Sequence, residues 1–237
     1  PPTVNKSFHD DLIKWSAICE DLFLWYYCNN FMDCLVPYDD FNSMQDLYAF
    51  SAAVGVKFLM NQAVSSGLPS GWHALKGYLQ AKLAWNVNCN MTELTENYFK
   101  AAYGAGWESM YSFYNSFRVH SIENMKINDP ETKYIGQFSV HYEPLQKVYW
   151  PLPVLKQWMS YIDNALAEIN FIKNRDAKKY QTLYDNITLE RVSVSYMMLK
   201  LHKTRIPSDE FLKLKNELLA DIERLDVTMG ISSIADL

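Results

Sequence analysis

The chain has 237 residues, 49% of them apolar and 21% charged, which is the composition of a folded globular protein large enough to bury a substantial core. A net charge of −5 without a dense Lys/Arg cluster argues against phosphate-backbone binding, so no nucleic acid partner is expected. No apolar run approaches the roughly 20 residues that a membrane-spanning helix needs, so no membrane span is expected either.

The sequence opens on Pro1-Pro2-Thr3 without a basic segment leading into an apolar one, as a mature or excised segment would. Residues 7–19 read as a helix. The stretch "DLFLWYYCNNF", residues 21–31, then places five aromatic rings in eleven positions and stops on two asparagines. Its part 22–29 reads as a strand. Asn42-Ser43-Met44-Gln45 has the form of a capping box opening a helix that runs through Ala53. Residues 56–61 form a second short apolar run, followed by the loop "QAVSSGLPSG" and a helix over 72–85. Alternating helix and strand patterns predict parallel β/α units. Both strands are continuously apolar, which predicts a parallel sheet buried on both faces.

Helices are predicted over 92–103 and from 107 to about 125. Residues 128–151 carry no clean period and read as a long, aromatic-rich connection. Beyond it Leu155, Trp158, Met159, Ile162, Leu166, Ile169 and Ile172 recur at the three-and-four spacing of an amphipathic helix. A second such series runs from Tyr180 to Leu201. A third runs from Phe211 to Leu225, after Pro207 with Ser208 as N-cap and before Gly230 as a stop. Three long helices with short connections predict an antiparallel bundle.

Composition divides the chain. Of 35 aromatic residues, 28 precede residue 151, and the first 150 residues hold 10 basic against 15 acidic side chains where the remainder balances 12 against 12. Two units are therefore expected. Residues 1–127 would hold the β/α units with their following helices, and residues 128–237 the irregular connection and the three-helix bundle. Cys19, Cys28, Cys34 and Cys89 show no CxxC or zinc spacing and are read as free thiols. No metal site and no cofactor motif is predicted, and HExxH, GxSxG and phosphate-loop signatures are missing.

The segments "LFLWYYCNNFMDCLVPYDDF", "GVKFLMNQ" and "WHALKGYLQAKLAWNVNCNMTELTENYFKAAYG" together resemble the C-terminal part of a bacterial domain-of-unknown-function family with a glycoside-hydrolase-like barrel, similar to that of α-glucuronidases. The resemblance covers roughly residues 10–120. It implies that the two strands are the last of a (β/α)8-type barrel, followed by a helical bundle extension, the whole predominantly α with a small parallel α/β part. It also implies an upstream barrel segment as partner, an oligo- or polysaccharide as ligand, a role in polysaccharide utilisation, and an extracellular or cell-envelope location in a bacterium.

In such barrels functional side chains stand at the C-terminal ends of the strands. The candidate substrate-binding residues are accordingly Trp25, Tyr27, Asn29 and Asn30 at one strand mouth and Asn61 and Gln62 at the next. Trp72 and His73 follow the adjoining loop. Aromatic rings there can lie against the C–H face of a sugar while amides bond its hydroxyls. Five of them have a plainer role open to them. Trp25 and Tyr27 can pack in the core, Asn29 and Asn30 can close the strand as turn residues, and Trp72 can anchor the helix start.

Glycoside hydrolysis needs an acid paired with a base or nucleophile, yet neither strand ends in a carboxylate. Asn61 stands where the resemblance implies an acid. Asp39 and Asp40 read as solvated or capping residues, and the trio His141-Tyr142-Glu143 lies in the irregular segment. The chain alone is therefore expected to be inactive, contributing one wall of a glycan-binding cleft. A helical interaction module, forming a homo-oligomer without glycan binding, is the second reading.

Overall fold

A computed structural model of the chain describes residues 6–31, 33–63, 71–127, 147–227 and 234. In chain order the elements are α1 (Lys6–Ser16), β1 (Leu22–Tyr27), α2 (Phe41–Ala53), β2 (Val56–Gln62), α3 (His73–Trp85), α4 (Met91–Tyr103) and α5 (Trp107–Ile127), then α6 (Leu152–Ile169), α7 (Ala177–His202) and α8 (Ser208–Arg224). The described residues are mostly helical, with one small sheet of two parallel strands among them, and α2 is the crossover that a parallel pair requires. The trio His141-Tyr142-Glu143, Gly230, residues 64–70 of the predicted loop and most of the predicted connection lie outside the described residues.

β1 and β2 pair with Trp25 opposite Met60 and Tyr27 opposite Gln62. Successive side chains alternate between faces, so Leu24, Tyr26, Leu59 and Asn61 turn toward α2 and α3. Phe23, Trp25, Tyr27, Phe58 and Met60 turn the other way and are 39–67% exposed. This corrects the expectation of a sheet buried on both faces. Continuous apolar runs are what two-sided burial requires, but among the described residues the helices cover one side.

Helix starts depart from the predicted caps for local reasons. α2 begins at Phe41, because Asp39 Oδ1 accepts the Phe41 N–H at 3.1 Å. The predicted box residue Gln45 instead reaches across to the carbonyls of Val87 and Cys89, at 2.9 and 3.1 Å, and ties α2 to the exit of α3. Ser208 is the first residue of α8 rather than its cap; Pro207 holds that position and no side chain caps there. α4 and α7 are capped by Asn90 and Asp176, which accept the N–H of Glu93 and Lys179. Both satisfy donors that helix ends leave open.

The predicted apolar stripes of α6, α7 and α8 all face inward. Leu155, Trp158, Ile162 and Ile169 are fully buried, as are Ile187 and Met197, with Leu218 1% exposed. α7 lies deepest, to the point that Glu190, Arg191, Ser193 and Ser195 are buried with its apolar residues. Arg191 bonds Asp221 of α8 through Nε and Nη2 at 2.8 and 2.6 Å. One core cluster takes in residues from Leu35 to Ile234. Phe113 of α5 joins its halves, with its ring 4.9 Å from Trp72 and 5.5 Å from Trp158. Gly104 closes α4 at φ 55°, and a Cβ there would come within 2.8 Å of Leu183; a larger residue would meet both backbone strain and a side chain of α7. Among the described residues no helix is long and apolar enough to cross a membrane.

Candidate functional site

The C-terminal ends of the two strands gather most of the predicted residues. Trp25, 53% exposed, donates its indole N–H to Gln62 Oε1 at 2.7 Å across the strand pair. Tyr27, 39% exposed, meets Phe31 edge-on with centroids 5.3 Å apart. The ladder runs one residue past β1, since Cys28 donates its backbone N–H to Gln62 O at 3.0 Å. These contacts fix Trp25, Tyr27 and Gln62 on one open surface, two aromatic side chains and one amide side by side.

Beyond Cys28 the chain turns inward. Asn29 and Asn30 are 1% and 0% exposed, and Asn29 Oδ1 lies 3.0 Å from His73 Nε2. Burial, followed by the charge of Lys76, pushes the His73 pKa down to about 3. The ring is therefore neutral at physiological pH, and with Asn29 Oδ1 as acceptor its proton sits on Nε2. Asn61 points to the helix side of the sheet, where its Nδ2 donates to Tyr48 Oη at 2.7 Å. The candidates thus separate into an open group, Trp25, Tyr27 and Gln62, and a buried group behind them.

Trp72 belongs to neither group. It is 1% exposed, and its ring packs against Phe99, Phe113 and Tyr114. Its backbone sits at φ 68° just before α3, a conformation unusual for a bulky residue. Buried on all sides, the ring has no face to offer a ligand, and its place is that of an anchor for the start of α3.

Sequence reasoning missed Lys76, whose Nζ donates to Cys28 O at 2.9 Å and Tyr38 O at 2.6 Å and pairs with Asp40 Oδ1 at 3.0 Å. Only 2% exposed, it also lies 4.9 Å from the Tyr38 ring centroid and 5.5 Å from that of Phe41. It pins the strand exit to the segment leading into α2. The one sequence signal is a lysine between Leu75 and Leu79 on the apolar face of α3, a position where an unpaired ammonium would be costly. Asp40, expected to be solvated or capping, is buried as Lys76's counter-ion; burial pushes its carboxyl up against that cation's pull. Asp39 does cap, as described, and takes the Asn42 amide on Oδ2 at 2.7 Å. Burial raises it to about 6, opposed by Arg118 and Lys76.

Chemically, this arrangement presents rings and one amide outward and holds its charges inward, each carboxylate committed to a partner. Among the described residues no three His, Cys, Asp or Glu side chains converge as a metal would require. The outward rings can stack on a flat apolar face and the amide can both donate and accept hydrogen bonds.

Residues 2–115 match the model of a family described as a domain of unknown function (DUF4838). The match runs from the N-terminal segment into α5 and so takes in both strands and the whole candidate site; α6, α7 and α8 lie outside it. No curated protein and no solved structure matches the chain.

Proposed function

We propose that the open face of the β1–β2 sheet is one wall of a glycan-binding cleft in a carbohydrate-active, glycoside-hydrolase-like protein acting on polysaccharide outside the cell. Further strands of a barrel would complete that cleft, and this chain would bind without catalysing. The carrying observation is the Trp25–Gln62 pair. The indole is held in place by its own N–H, so its ring needs little ordering on binding, while the Gln62 Nε2 beside it is a donor for a sugar hydroxyl.

The test is calorimetric titration of the chain with neutral xylo-oligosaccharides and with glucuronosyl-xylo-oligosaccharides. Binding is expected, weakened about fivefold by Trp25→Ala, since one ring stacking is worth on the order of 1 kcal/mol. An absence of heat with both series, or affinity unaffected by Trp25→Ala and Gln62→Ala, would overturn the reading. Baseline turnover of both series is expected.

The second reading, association through the same surface, is favoured by the exposure of Phe23, Phe58 and Met60, which no sugar would need together. Exposed apolar patches of this kind promote contact between chains. Light scattering separates the two: a concentration-dependent oligomer that glycan does not dissociate and that Phe58→Lys abolishes would favour association.

A further inference from the structure

The segments that build the open face of the sheet are devoid of charge. In a chain that is 21% charged, neither residues 22–32 nor residues 58–75 include an Asp, Glu, Lys or Arg. These stretches supply β1, most of β2, both strand exits and the start of α3. Resting on the glycan reading above, we infer that this face selects neutral glycans and excludes those that carry a carboxylate on each sugar ring.

The charges around the strand exits are committed elsewhere or stand far off. Lys76 is buried and spends its ammonium on Cys28 O, Tyr38 O and Asp40, so it cannot reach a ligand on the opposite face. The neighbouring His73 is held neutral by its burial. Asp33 accepts the Tyr196 hydroxyl at 2.6 Å and the Leu35 N–H at 3.1 Å, and Asp39 caps α2. Lys57 is exposed, but it lies five residues before Gln62 on β2. That is about 17 Å along a strand, roughly twice the distance over which salt screens a charge. Glu20 and Asp21 precede β1 at that same far end, and their sign would repel an acid.

A carboxylate laid against Trp25 and Tyr27 would give up part of its hydration and meet no cation in return. The rings add to the exclusion, because the face of an aromatic ring is its negative side. The net charge of −5 opposes an anion at longer range. A neutral sugar meets none of these costs. Its C–H groups, slightly positive, suit the ring faces, and its hydroxyls can bond the Gln62 amide in either direction. An acid borne as a side group on a neutral backbone can turn to solvent, so the exclusion applies to chains acidic at each ring.

The test is affinity gel electrophoresis of the chain in two matched pairs of polysaccharides. One pair is hydroxyethyl cellulose and carboxymethyl cellulose; the other is polygalacturonan with its acids methyl-esterified and the same chain de-esterified. Retardation by a neutral member is expected, with its acidic counterpart at least about tenfold weaker. Retardation by the neutral member should not change between about 20 and 500 mM salt. Met60→Lys places an ammonium opposite Trp25 in the strand register, at a position already 41% exposed, and is expected to gain binding to the acidic members. Equal or stronger retardation by the acids, or a Met60→Lys variant that gains nothing, would overturn the selectivity and leave the glycan reading standing. Retardation by none of the four would overturn both.

Discussion

Glu190 Oε2 accepts the backbone N–H of Trp72 at 2.9 Å, and that of Gly71 at the same distance. A carboxylate from the middle of α7 thus serves the N-terminus of α3, 118 positions earlier in the chain. It fastens the helical bundle to the part of the molecule that carries the strands. Burial pushes its pKa up to about 7, opposed by those two N–H donors and by Lys76.

A raised carboxyl pKa means that the folded state holds the proton more tightly than the unfolded chain. Stability from this group is full below the unfolded value near 4.5 and falls as the pH rises to about 7. Glu190→Gln keeps an oxygen for the two N–H groups and removes the titration. The variant is expected to gain on the parent across that window, by roughly 2–3 kcal/mol at its upper end. Melting temperatures of both proteins from pH 4 to 8 check this, and parallel curves would refute it.

Lys76→Met leaves the buried Asp40 carboxylate without its cation and the Cys28 and Tyr38 carbonyls without a donor. Losing one partner of a buried pair costs about 3–5 kcal/mol. Adding Asp40→Asn removes the stranded charge, so the double variant is expected to recover part of the loss. Urea unfolding of the two singles and the double completes the cycle; simple additivity of the two losses would show that the pair is not coupled.

Trp72→Ala and Trp25→Ala make opposite predictions for one residue type. The first empties a site enclosed by Phe99, Phe113 and Tyr114 and is expected to cost about 3–5 kcal/mol. The second removes a half-exposed ring and is expected to stay within about 1 kcal/mol. Chemical denaturation distinguishes them, and similar costs would contradict the placement of both rings.

His73 is expected to remain neutral down to about pH 3. Its ring signals in NMR should not move between pH 5 and 8, and a midpoint near 6.5 would contradict its burial beside Lys76. Because its folded pKa is depressed, this histidine withdraws stability as the pH falls below about 6.5. Its contribution therefore runs opposite in sign to that of Glu190.

The helices of this protein are legible in the amino-acid sequence wherever an apolar stripe meets a core. Trp158, Ile162 and Ile169 recur at helical spacing and all are fully buried, because a long helix packed along one side must show that period. The two strands were equally legible, since short apolar runs between turn residues have few other uses. What the runs could not express was which faces are covered. Phe23, Trp25 and Phe58 have the same composition as buried strand residues, and exposure depends on what lies across from them.

The sequence by itself determined the order and kind of the elements, because propensity and periodicity are local properties of the chain. Tertiary structure alone decided the meaning of individual polar residues. Lys76 became a buried pin, Asp40 its counter-ion and Glu190 a remote cap, each through partners tens of residues away. Trp25 and Trp72, indistinguishable as letters, were likewise separated into an exposed ring and a core anchor. Burial and pairing are set by contacts across the fold, and those contacts leave no periodic trace in the chain that makes them.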